Sequence, residues 1–114
     1  LTRHNKALGD WGEDRTVAWY LDRGFEVVAR NWRCRSGEID VVVQRQALLV
    51  FCEVKTRSSS RFGSALEAVT PAKQAKLRAL AMEFLRSNSF GYCDLRFDVA
   101  SVMGAELVVI EGIF

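Results

Sequence analysis

The sequence predicts an α/β fold, a mixed sheet with helices packed on it, in the order α-β-β-β-α-β-β. Three observations carry this prediction. Two stretches, residues 7–22 and 71–87, repeat apolar residues at helical spacing. Three runs rich in Val, Ile and Phe lie between them, and two more follow the second helix. Turn chemistry falls between the runs, at Gly24, Arg35-Ser36-Gly37, residues 58–64, Thr70-Pro71 and Met103-Gly104-Ala105.

Each element has its own reason. In the first helix Leu8, Trp11, Val17, Ala18 and Leu21 mark the expected inward face, and Trp11 and Trp19 are assigned to the core. Residues 1–6, with the single His4, read as a polar tail, and Gly24 as the helix stop. Strands are expected at Phe25–Asn31, Glu38–Arg45 and Ala47–Thr56. The polar segment 58–64 reads as a mobile loop. Thr70 is the expected N-cap of the second helix, with Pro71 at its first position. Ala72, Ala75, Leu77, Leu80, Ala81, Phe84 and Leu85 form its apolar face. Strands at Leu95–Val102 and Glu106–Ile110 complete the order.

With 114 residues, 49% hydrophobic and 26% charged, the chain reads as one domain spanning 1–114. No apolar run reaches the ~20 residues of a membrane helix, and no signal-peptide pattern opens the sequence. Cys34, Cys52 and Cys93 are widely spaced, without a C-x-x-C pair, which argues against a disulfide framework or zinc site and for a reducing cytoplasm. A net charge of +2 does not by itself imply nucleic-acid binding. The distribution is more informative: Arg30, Arg33, Arg35, Arg45, Lys55, Arg57 and Arg61 crowd the first half, and Lys73, Lys76 and Arg78 follow.

The chemistry concentrates where the second and third strands meet. A hairpin centred between Gln46 and Ala47 sets Asp40 opposite Glu53 and Glu38 opposite Lys55. Ile39, Val41 and Val43 then share one apolar face with Val54, Cys52 and Val50. A slip of one residue would scatter the carboxylates over both faces, so the register is well specified. Gln46-Ala47 lacks the chemistry of a tight turn, which suggests a wider loop. Two adjacent carboxylates need a compensating cation, either Lys55 or a hard divalent ion such as Mg²⁺ or Mn²⁺. An E-x-K tripeptide alone is usually an exposed ion pair; Asp40 in register is what suggests a site.

Gly37-Glu38-Ile39-Asp40 followed by Glu53-Val54-Lys55 resembles the D…E-x-K core of the PD-(D/E)XK nuclease superfamily. More narrowly, the chain resembles the YraN-type bacterial proteins, an uncharacterised family similar to archaeal Holliday-junction resolvases. The resemblance runs from Leu8 to Val102. It rests on Gly9, Gly12-Glu13, Arg30-Asn31-Trp32-Arg33, the GEID and EVKTR segments, Thr70 with Lys73, and Phe97-Asp98-Val99. It implies a restriction-endonuclease-like three-layer core, α-β-β-β-α-β, here with one further C-terminal strand.

The resemblance also implies roles. Asp40 and Glu53 would hold the metal, Lys55 would be the catalytic lysine, and Glu13 would complete the site. Glu13 reads equally well as a solvated helix carboxylate. Glu38 would pair with Lys55 or Arg57. Arg30, Arg33, Arg35, Arg57 and Lys73 would track phosphates, and Trp32 would stack on a base or sugar. Asp98 reads as structural, bonding a backbone group or an arginine. Ile39 replaces the proline of the motif, while Thr16 and Cys52 depart from the family's usual small and β-branched residues, a matter of packing.

The expected function is an Mg²⁺- or Mn²⁺-dependent endonuclease acting on DNA, branched or flapped structures included. A resolvase-like activity would require a homodimer, because cutting opposed strands takes two sites. The alternatives are a non-cleaving nucleic-acid-binding module on the same fold and a scaffold or partner-binding domain.

Overall fold

The computed structural model describes residues 3–57, 70–91 and 93–113, and these contain the expected order of elements. Helix α1 (Arg3–Asp22) leads into a meander of β1 (Glu26–Cys34), β2 (Gly37–Arg45) and β3 (Leu48–Arg57). Helix α2 (Pro71–Asn88) carries the chain to β4 (Asp94–Met103), and β5 (Glu106–Ile110) follows. The sheet runs β1-β2-β3-β4-β5, with β4 parallel to β3 and the other neighbours antiparallel. A parallel neighbour requires a crossover, and α2 supplies it. Two helices therefore flank a five-stranded mixed sheet in three layers.

Each face of the sheet has its own core. Against α1, Val17, Tyr20 and Phe25 meet Val41, Val43, Val50, Cys52 and Ala100. Against α2, Leu80, Ala81 and Phe84 meet Ile39, Val42, Leu49, Phe51 and Phe97. Central strands covered on both sides explain why β2 and β3 read as apolar runs. Thr70 caps α2, its hydroxyl accepting from Lys73 N at 3.2 Å, with Pro71 opening the helix.

Several expectations are corrected. Helix α1 starts at Arg3, so residues 3–6 belong to it; this polar first turn carries no apolar pattern to announce it. β1 runs to Cys34, where it pairs with Gly37. Gln46 and Ala47 make a tight two-residue turn, Gln46 taking the left-handed conformation (φ 53°) usually left to Asn or Gly. Ile39 joins the α2 core, away from Val41 and Val43. The face change falls opposite Asn31, itself left-handed (φ 51°), between the pairs Arg30–Val41 and Trp32–Ile39. Such a local break in the pleat re-aims a side chain. The expected loop 58–64 lies outside the described residues.

The largest correction concerns α1. Its inward stripe is Gly12, Glu13, Thr16, Val17 and Tyr20, whereas Ala18 and Leu21 face out and Trp11 is 40% exposed, with Arg15 over its ring. Trp19 is half-buried. A Cβ on Gly12 would collide with the Thr56 side chain, so glycine is what lets α1 lie close on β3. Thr16 Oγ1 donates to Gly12 O at 2.8 Å and so needs no further partner there.

Asp98, only 1% exposed, is structural as expected. It accepts from Tyr20 Oη (2.6 Å), Arg96 Nε (2.9 Å), Arg96 Nη2 (3.0 Å) and Gly112 N (3.0 Å). Among the described residues no helix is long and apolar enough to cross a membrane.

Candidate functional site

The site lies where β2 and β3 part. Their ladder holds the expected register from Arg45–Leu48 to Val41–Cys52, and no pair follows among the described residues. Asp40 stands at the opening, its Oδ2 accepting the Val54 N–H at 2.8 Å. A side-chain oxygen thus takes the place of a ladder carbonyl for an interior amide.

Glu53 and Lys55 continue the alternation of Leu49 and Phe51 along β3, toward the α2 side. Lys55 Nζ lies 3.0 Å from Glu53 Oε1. Glu53 Oε2 is buried without a hydrogen-bond partner. Leaving a buried acceptor unpaired costs about 1–3 kcal/mol, more for a charged group. Such an atom is either a defect or a binding contact awaiting its ligand.

Electrostatics single out the same place. Burial pushes the Asp40 carboxyl up to about 6; the Val54 N–H opposes the rise, and the charges of Glu13, Glu53 and Glu38 add to it. Burial also disfavours the Lys55 ammonium, but Glu53 more than offsets this and holds its pKa above the ordinary lysine value. Lys73, in the first turn of α2, meets Lys55, whose contact and charge pull the Lys73 pKa down. A cation at a helix N-terminus beside another cation is doubly unfavourable without an anion between them.

Glu13 is not a solvated helix carboxylate: it is 9% exposed and turned to the sheet. Asn31 Nδ2 donates to its Oε1 at 2.9 Å, and Arg30 Nη2 lies 3.6 Å from the same oxygen. Burial raises its pKa, against the lowering by Asn31 and Arg30. Arg30 is also tied to Asp14 Oδ1 at 2.7 Å. Asn31 was singled out only as part of a motif segment. The legible signal was its residue type, since asparagine tolerates the left-handed conformation that β1 adopts here.

The remaining candidates divide. Glu38 pairs with Arg33 (2.9 Å) across the first hairpin, instead of with Lys55 or Arg57. Arg35 is exposed in the turn between β1 and β2, and Arg57 closes β3, paired with Met103. Trp32 is half-buried, edge-on to Phe84 at 5.3 Å, so much of its ring serves the α2 core. A pocket of about 160 Å³ opens beside Glu53, lined by Glu38, Glu53, Lys73, Lys76, Leu77 and Leu80.

Among the described residues no three His, Cys, Asp or Glu side chains form a ready-made metal cage. Magnesium does not need one, since it keeps several waters and is often bound by one or two carboxylates plus phosphate oxygens. The unbonded Glu53 Oε2, beside Asp40, whose pKa the Glu53 charge helps to raise, fits a hard divalent cation.

Comparison with known proteins agrees on one relationship. Residues 12–102 match the family described as uncharacterised protein family UPF0102. UPF0102 proteins of Frankia casuarinae and Rhodococcus opacus are 49% and 45% identical over 100 residues, 88% of this chain and 85% of each relative. That of Roseiflexus castenholzii is 42% identical over 117 residues, 99% of this chain and 94% of the relative. The chain therefore belongs to the uncharacterised protein family UPF0102.

Proposed function

We propose that this protein is a metal-dependent endonuclease with a restriction-endonuclease-like core, related to the PD-(D/E)XK nucleases and similar to Holliday-junction resolvases, hydrolysing phosphodiester bonds in DNA. The observation that carries this reading is Asp40 at the strand opening, its pKa raised in part by the charge of Glu53, whose Oε2 is buried and unbonded and whose other oxygen holds Lys55. The α-β-β-β-α-β order, with β4 parallel to β3, supports the fold assignment.

Asp40 and Glu53 would hold Mg²⁺ or Mn²⁺, and Glu13 adds a third negative charge felt by Asp40. Bound there, a divalent ion supplies an activated water and neutralises phosphate charge. Asn31 and Arg30 keep Glu13 fixed. The Val54 N–H holds one oxygen of Asp40 in place. Lys55, tethered to Glu53, presents its ammonium to the water or to charge gathering on the phosphate. Lys73, Arg33, Arg35 and Arg57 would meet flanking phosphates, branched or flapped DNA being the expected substrate and a homodimer the form that cuts opposed strands.

A cleavage panel with Mg²⁺ and Mn²⁺ on branched, flapped, single-stranded and duplex DNA, and on RNA, tests the reading. Lys55→Ala is expected to lose roughly a hundredfold or more in rate. Equal cleavage by wild type and variant overturns the assignment. The closed Lys55–Glu53 pair is also compatible with a non-cleaving binding module; salt-sensitive DNA binding with no cleavage in any arm selects that reading.

A further inference from the structure

The pocket beside Glu53 has a composition that catalysis at Asp40 and Glu53 does not require. Its floor is apolar, Leu77 and Leu80 of α2. Glu38 and Glu53 also line it, together with the exposed Lys73 and Lys76. The Lys76 stem passes close to the first hairpin turn: a Cβ built on Gly37 would come 3.3 Å from Lys76 Cε. Lys76 therefore lies over the turn that carries Gly37.

Size limits the occupant. At about 160 Å³ the pocket is close to the ~150 Å³ cavity that admits benzene, so one planar six-membered ring fits and a base pair does not. Chemistry limits it further. An apolar floor takes a ring or sugar, two ammonium groups take a phosphate, and carboxylates accept from an amino or hydroxyl group. A pyrimidine nucleotide carries all of these, with its ring in the pocket and its phosphate outside it, at the lysines.

We infer that the pocket lined by Leu77, Leu80, Glu38, Glu53, Lys73 and Lys76 is a subsite for one unpaired nucleotide next to the scissile phosphate. This rests on the endonuclease reading and sharpens it: the strand must leave the duplex at the cut. Fully paired DNA is then a poor substrate because it must first unstack a base, at a cost of a few kcal/mol.

The test uses the full chain and a duplex with a single-stranded arm, an abasic residue being moved through each arm position in turn. Leu77→Phe narrows the pocket from its floor, and Lys76→Ala removes one ammonium. Mn²⁺ titration by calorimetry checks that each variant is folded with Asp40 and Glu53 intact. The expected result is one arm position at which base removal slows wild-type cleavage about tenfold but leaves Leu77→Phe, already about tenfold slower, unchanged. Lys76→Ala should lower the slope of log K against log salt by about 1. Wild-type cleavage with no abasic effect at any position, and unaltered by Leu77→Phe and Lys76→Ala, overturns the subsite and leaves the endonuclease reading standing. Wild type that neither binds nor cleaves any arm overturns both.

Discussion

Asp98 and Asp40 are carboxylates on the same sheet, and their surroundings are opposite. Around Asp98 every approach is filled: a tyrosine hydroxyl, two guanidinium nitrogens and a backbone amide converge on two oxygens. The pairing also raises the pKa of Arg96, through its bond to Asp98. Around Asp40 one amide donates, three further carboxylates press on the same charge, and neighbouring Glu53 keeps a buried oxygen unbonded. The first arrangement is finished by the chain itself. The second is electrostatically incomplete, and a cation from outside would complete it. This contrast, more than burial, is what sets Asp40 apart from Asp98 and motivates the proposed metal site.

Four measurements can break or sharpen the contrast. The largest effect is expected from Asp98→Ala, which takes the acceptor from the buried Tyr20 hydroxyl and leaves the half-buried Arg96 with Glu111 as its ion-pair partner. It should cost about 3–5 kcal/mol in urea unfolding. Next, Mg²⁺ at a hundred times its Kd should stabilise wild type by about 2.7 kcal/mol, seen as a rise in Tm that chelation reverses. Glu53→Gln should abolish that rise.

A third effect concerns pH without metal. The Asp40 carboxyl is raised to about 6 in the fold, above its ordinary value of 3.8. The folded state therefore holds the proton more tightly. Stability from this group is full below pH 4 and is lost as pH rises through 6. Asp40→Asn removes the dependence, and at pH 7 it should be more stable than wild type by about 3 kcal/mol while failing to bind Mg²⁺. Equal unfolding midpoints for the two proteins at pH 4 and pH 7 would contradict the frustrated state of Asp40. The smallest effect is expected from Asn31→Ala, about 1 kcal/mol from the lost bond to Glu13, together with weaker Mg²⁺ binding. Asn31→Gly loses the same bond but suits the left-handed backbone, so it should cost less.

Much of this was legible in the sequence, for identifiable reasons. The β2–β3 register follows from alternation, because any other pairing buries charge among aliphatics, and it is the register observed as far as Val41–Cys52; the expected pairs Asp40–Glu53 and Glu38–Lys55 are not in the ladder. Thr70-Pro71 announced α2 through chemistry that only a helix start uses. The inward face of α1 was not legible. The face-forming signal assumes apolar residues turn inward, whereas here glycine, glutamate and threonine do, one for close approach and one to reach the site. The position of Ile39 escaped too, because it depends on a break in β1 opposite it, a through-space effect that no pattern along β2 records. The same holds for Glu38, whose partner Arg33 is set by the first hairpin and not by the strand that carries Lys55.

The single bond from Val54 to Asp40 has a consequence for observing the protein at work. Its amide is held by a titratable side chain, where a ladder amide would meet a carbonyl. Its proton resonance should shift as Asp40 takes up a proton and shift again, in its own direction, when Mg²⁺ displaces that proton. Exchange with deuterium at this one position should slow or quicken with the state of the carboxylate, while the Val43 and Val50 amides, laddered in the closed part of the hairpin, stay indifferent. One half-buried backbone nucleus at the strand opening would thereby report whether the proposed site is occupied.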